Sequence, residues 1–222
     1  LIADAQDKDG YLNTFFTIKD TEKRWTNLLE GHELYCSGHL IEAACTYYEA
    51  TGKRKLLDIA VKNAECIYDR FVMQNTEGIP GHPEIELALL RLYRLTENKH
   101  FLELAKKFID ERGKAPDFWA REAKKRSWSV WNSDPWDNDY RQSAKPVREQ
   151  TEAVGHAVRA VYLYTGMADL AAETEDKELF AACRRLWENI VHRKMYITGG
   201  IGSTVQGEAF TVDYDLPPDT AY

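Results

Sequence analysis

Slid along the chain, the segment from Gly38 to Phe71, GHLIEAACTYYEATGKRKLLDIAVKNAECIYDRF, meets a relative of itself. Tyr48, Thr51, Leu57 and Ala60 fall on Tyr93, Thr96, Leu102 and Ala105, a constant offset of 45 residues. Thr96, Leu102 and Ala105 then fall on Thr174, Phe180 and Cys183, an offset of 78, and most of the added length lies in one insertion, 114–149. Apolar residues recur at three and four spacing, as in Leu102, Ala105, Phe108 and Ile109, which is a helical period. Each copy reads helix, short polar turn, helix. Gly52 after Thr51 stops a helix, and Pro83 suits a first turn. The pattern predicts helices over 32–51, 53–71, 83–96, 99–111, 148–172 and 177–192, in three antiparallel pairs. Strand signal is confined to Gly10–Thr17 and Met195–Asp213. Repeating hairpins of 40 to 50 residues build either an open solenoid or a closed α/α barrel. In a barrel the inner helices point one way and their N-termini share one mouth.

Composition narrows the partners. The chain has 222 residues, 44% hydrophobic and 29% charged, the profile of a soluble globular protein. Its net charge of -7 opposes nucleic acid and anionic membrane surfaces. No stretch approaches the ~18 apolar residues of a membrane helix. Cys36, Cys45, Cys66 and Cys183 form no CxxC, and three of them lie on apolar helix faces, as reduced packing residues do. A reducing compartment, the cytoplasm, is the expectation.

Four of the six histidines follow a glycine: His32, His39, His82 and His156. His32, His82 and His156 stand at or near the starts of the first helices of successive hairpins. Any one of them could simply cap or pack against its own helix. Repetition at equivalent mouths favours a ligand site instead. The spacings match no local metal motif, so hydrogen bonding to a sugar-like substrate is the better reading than zinc. His39, one turn past Cys36, reads as a buried packing residue, and His100 and His192 as surface. The insertion holds four of the six tryptophans. It reads either as a loop stapled to the rim or as an aromatic wall for sugar rings. Lys145 and Arg148 at its end would bring positive charge beside His156. Finally, TGGIGSTVQGEAF presents Glu208 after a run of glycines. A lone loop Glu is usually solvated, but apolar Ala209 and Phe210 could hold this one in a partly dry pocket, as a general acid requires.

The strings DGYLNTFF, NLLEGHELYCSGHLIEAA, GIPGHPEIELALLRLYR, KPVREQTEAVGHAVRAVYLYTGMADLA, RRLWENIVHRKMYITGGIGS and GEAFTVDYDLPPDTAY together resemble glycoside hydrolase family 127, the β-L-arabinofuranosidases. The match runs nearly end to end, loosely only in the insertion. The resemblance implies a partial (α/α)6 barrel, all-α, with three of six hairpins in one domain cut at both ends. It implies an exo-acting, retaining hydrolase of L-arabinose-containing oligosaccharides. Glu208 would be the acid/base, and His32, His82 and His156 would surround the sugar. The family's nucleophile is a zinc-bound cysteine thiolate, and zinc with its ligands is expected beyond Tyr222, none of the four cysteines here being at a ligand position. Phe210, Tyr214, Leu216 and Tyr222 look made to pack against chain downstream of Tyr222. A half-barrel with exposed apolar faces would favour self-association, so a homo-oligomer is compatible with the reading. Outside this class stand a non-catalytic sugar- or protein-binding scaffold, and other sugar-processing α/α barrels such as an epimerase or unsaturated-uronyl hydrolase.

Overall fold

A computed structural model describes residues 1–221; Tyr222 lies outside the described residues. Short helices α1 (Ile2–Ala5) and α2 (Thr14–Lys19) lead into α3 (Glu33–Thr51) and α4 (Lys55–Tyr68). Then come α5 (Ile85–Thr96), α6 (Lys99–Glu111), α7 (Phe118–Lys125), α8 (Ala157–Thr174) and α9 (Lys177–Asn189). α3, α5 and α8 pack side by side as one layer, and α4, α6 and α9 pair with them as a second. Between the layers runs the main core, including Ile41, Leu57, Ile67, Leu89, Phe101, Phe108, Leu163 and Leu186. Glycine sets the spacing inside the first layer. A Cβ at Gly38 would collide with the Glu84 side chain and the Ile85 backbone, so α3 can lie against the start of α5 only with glycine there.

The repeat has a local physical basis. α3, α5 and α8 each end on a threonine whose hydroxyl donates to the carbonyl four residues back: Thr51 to Tyr47, Thr96 to Leu92 and Thr174 to Leu170. Each threonine is followed by a left-handed residue, Gly52, Glu97 or Glu175, whose N–H returns to the helix. Asn98 and Asp176 then cap α6 and α9, accepting from the amides of His100 and Leu179.

Several expectations are corrected. Helix α8 starts at Ala157, not at 148. Residues 147–149 form a single 3-10 turn, and Gly155 sits at φ +69°, where its missing Cβ admits the backbone of Asp139 and Tyr140. The insertion contains a helix, α7, that its aromatic content concealed. Gly10–Thr17 is no strand: Asn13 caps α2 by accepting from the Phe15 amide. Met195–Asp213 pairs only through isolated antiparallel bridges, among them Met195 with Ile201 and Thr204 with Ala209. His39 is not buried, because it lies on the open face of α3 beside Tyr35, and Cys36 is exposed there too. Tyr214 is also exposed, whereas Phe210 is buried among Ala153, Ala157, Ala160 and Ile190. Among the described residues, no helix is long and apolar enough to cross a membrane.

Candidate functional site

The three histidines expected at one mouth do meet. His32 and His82 have ring centroids 5.7 Å apart, and His82 and His156 5.5 Å. Each ring is fixed by a backbone partner. His32 Nδ1 lies 2.7 Å from the Glu30 carbonyl, and His82 Nδ1 lies 2.7 Å from that of Pro83. A carbonyl only accepts, so both Nδ1 atoms carry the proton and both Nε2 atoms are left as acceptors. His156 is the reverse. As the N-cap of α8 its Nδ1 accepts the Arg159 amide at 3.2 Å, which leaves the proton on Nε2, 2.9 Å from Glu208 Oε2. The mouth therefore offers two acceptors, one N–H donor and one carboxylate.

Glu208 arrives from a segment docked backward onto the start of α8. Its carbonyl accepts the Ala157 amide at 2.9 Å, and the Phe210 amide donates to the Gly155 carbonyl at 2.9 Å. One free N–H of the helix end is thus satisfied by the residue that carries the carboxylate. His32 and Glu208 both adopt left-handed backbone, φ 53° and 52°, an unfavourable region for residues with a Cβ that persists where surroundings impose it.

The insertion divides its tryptophans between the two readings. Trp119 is buried with its indole N–H on Ser143, and Trp128 donates to Thr26. Both are staples. Trp131 instead sets its edge against His32, with ring centroids 5.1 Å apart, on a cleft of 680 Å³ that Phe15, Phe16 and Tyr35 also line. Buried Glu30 holds that loop, accepting from Ser129 Oγ and from the amides of Val130 and Ser133. Burial alone would raise its pKa, but these hydrogen bonds outweigh it and hold the carboxyl at about 2. Glu30 is invisible in the sequence because, apart from Asn27, its partners lie about a hundred residues away. Arg148 does not reach His156, being paired with Asp110 and Asp176, and Lys145 is exposed. The positive charge near His156 comes from Arg159.

Burial, joined by the Arg159 charge, pushes the imidazole pKa values down, that of His82 to about 3, and all three rings are neutral near pH 7. Burial pushes three carboxyls the other way: Glu33 and Glu122 up to about 7, and Glu84, with Glu42 and Glu86 nearby, up to about 9. A carboxyl with a raised pKa binds its proton in the folded state only, so its contribution is lost as pH rises from about 4.5 through the folded value. A histidine with a lowered pKa makes the folded state lose stability as pH falls below about 6.5. Above 6.5 the carboxyls act first, and toward pH 9 the raised thiols add to the same loss. The unfolding free energy from urea titrations is therefore expected to fall between pH 6.5 and 9, by on the order of 3 kcal/mol for Glu84 alone. Glu84→Gln should flatten that limb; an unchanged limb would show that Glu84 is ionised in the fold.

No zinc site is assembled among the described residues. Burial pushes the Cys45 thiol up to about 12 and those of Cys66 and Cys183 to about 11, and it raises Cys36 as well, against the thiolate a metal needs. Among the described residues no three His, Cys, Asp or Glu side chains are grouped to hold a metal ion.

Comparison with known proteins agrees on one family. Residues 1–222 match the model of the β-L-arabinofuranosidase GH127 catalytic domain. A non-reducing end β-L-arabinofuranosidase of Bifidobacterium longum subsp. longum is 44% identical over 235 aligned residues, taking in 100% of this chain and 35% of that protein. The crystal structure of a GH127 β-L-arabinofuranosidase from Geobacillus stearothermophilus T6 superposes with a TM-score of 0.93 at 52% identity, covering 100% of this chain and 35% of that one. A second solved structure, a GH127 β-arabinofuranosidase, gives 0.84 at 44%, covering 100% and 33%. The chain thus spans about a third of the length of the relatives it matches.

Proposed function

The chain belongs to glycoside hydrolase family 127, and from that premise we propose that it supplies the sugar-binding and acid/base part of a retaining exo-glycosidase releasing terminal β-L-arabinofuranosyl residues. The observation that carries the reading is the Glu208–His156 pair set beside the imidazoles of His82 and His32. Substrate hydroxyls donate to Nε2 of His32 and of His82. His156 holds Oε2 of Glu208 by its Nε2–H, which turns the other oxygen, Oε1, to the scissile bond. Oε1 gives its proton to the departing glycosidic oxygen and later takes one from the attacking water. The same protein atom serves both steps.

On this reading the three hairpins are half of an (α/α)6 ring. On the same reading zinc would be held, and the thiolate nucleophile supplied, by residues outside these 222; the raised thiols of Cys36, Cys45, Cys66 and Cys183 suit neither role. The 222 residues alone then bind sugar without turning it over. The zinc-loaded full-length chain should release L-arabinose from a β-L-arabinofuranosyl disaccharide, measured by anion-exchange chromatography. A folded, zinc-loaded chain that releases none would sink the reading, and an altered but uncleaved disaccharide would replace it with an epimerase.

A further inference from the structure

Arg159, in the first turn of α8, is only 8% exposed, yet its side-chain Nε and Nη1 have no acceptor among the described residues. The other buried arginines nearby share the bare Nε but have acceptors at their Nη groups. Arg112 reaches the carbonyls of Arg141 and Pro80 and the carboxylate of Glu86, and Arg141 reaches the carbonyls of Asp134 and Asp137. Arg159 has instead Tyr140, whose ring face lies 4.6 Å from the guanidinium carbon and fixes the plane of the fork. A buried guanidinium with bare donors is costly, and the cost is removed when a ligand brings oxygen to it.

The surroundings say which oxygen. Tyr140 stands 5.6 Å from His156, so the fork lies at the same mouth as Glu208. Glu208 shares that mouth, and the oxygens of an anionic ligand would be set against its own. The imidazoles add no charge. A neutral polyhydroxylated ring fits: hydroxyl hydrogens toward His32 and His82, a hydroxyl oxygen toward the fork. We propose that Arg159 is a substrate-binding residue that donates to a hydroxyl oxygen of the terminal furanosyl unit, so that the mouth reads both ends of the sugar's O–H groups. The inference rests on the glycosidase reading and adds to it the donor side of recognition.

The test uses the zinc-loaded full-length chain, with Arg159→Met and Arg159→Lys, on the disaccharide and on its 2-, 3- and 5-deoxy analogues at the non-reducing unit. Arg159→Met is expected to lower kcat/KM by about 10- to 100-fold, mostly through KM, with Lys recovering little because it lacks the planar fork. One analogue should lose the same factor with the wild type and nothing more with Arg159→Met. The acid limb of binding should also move to somewhat higher pH in the Met variant, as the imidazoles lose the Arg159 repulsion while burial still holds them down. If the Met variant melts early, Arg159→Gln, which keeps a donor and most of the stem, carries the same comparison. A wild-type KM in the variants, or an equal further loss with every analogue, overturns the inference and leaves the glycosidase reading intact. A wild type that releases no arabinose overturns both.

Discussion

Replacing Glu208 by glutamine is expected to cut L-arabinose release from an unactivated disaccharide by about 100- to 10,000-fold, with KM nearly unchanged. The amide keeps the size of the carboxyl and can still accept the His156 Nε2–H, 2.9 Å away in the parent, so the sugar is bound as before. What is lost is a transferable proton at the oxygen facing the leaving group. An aryl arabinofuranoside with an acidic phenol leaves unaided, so its bond-breaking step should be largely spared. The kcat/KM values on both substrates, which report the bond-breaking step alone, decide the matter. A variant within about threefold of the parent on the disaccharide would remove Glu208 from the acid role, since general acid catalysis contributes no less than about a hundredfold where it operates.

The second large effect lies beneath the site. Arg112→Met is expected to destabilise the protein by about 3–5 kcal/mol, because it strands a buried charge. Arg112 and Glu86 are both fully buried, 3.3 Å apart. The same guanidinium donates to Pro80, just before Gly81-His82, and to Arg141, next to Gln142. Gln142 in turn donates to the carbonyls of Val154 and His156. One cation therefore sets the approach of two of the three histidines, and activity should fall further than the stability loss alone explains. In urea titrations Arg112→Met combined with Glu86→Leu should recover part of the loss, as buried pairs replaced by apolar groups often do. A single variant within about 1 kcal/mol of the parent would mean that the pair keeps its water.

How much of this could be read from the sequence depends on the distance over which each feature acts. The hairpins were legible because their determinants are local: Thr51, Thr96 and Thr174 each bond four residues back and precede a left-handed turn. The meeting of His32, His82 and His156 was legible too, since equivalent residues of a repeat occupy equivalent places. Pro146 and Gly155 were available as warnings against a helix from 148, but the apolar periodicity after them masked the boundary. The chemistry of the rings was not legible at all. Which nitrogen of His32 or His82 bears the proton depends on carbonyls placed by loop geometry, and the partners of Glu30, Arg112 and Gln142 come from other parts of the chain. The charge beside His156 belongs to Arg159, nearer in sequence and in the first turn of α8; a helix begun at 148 puts Arg148 at the mouth instead, whereas the structure pairs it with Asp110 and Asp176.

The two ends of the inner helices carry different burdens. At their C-termini stand the threonine corners, whose hydroxyls bond within their own helices, a full helix length from the mouth. At their N-termini stand the groups that face a ligand, on backbone that is partly left-handed and held by distant partners. Substrate preference can thus drift at one rim while the architecture is renewed at the other. A designer seeking a different sugar would graft new mouths onto unaltered corners, and a screen for hardier variants would do best to search the corners first.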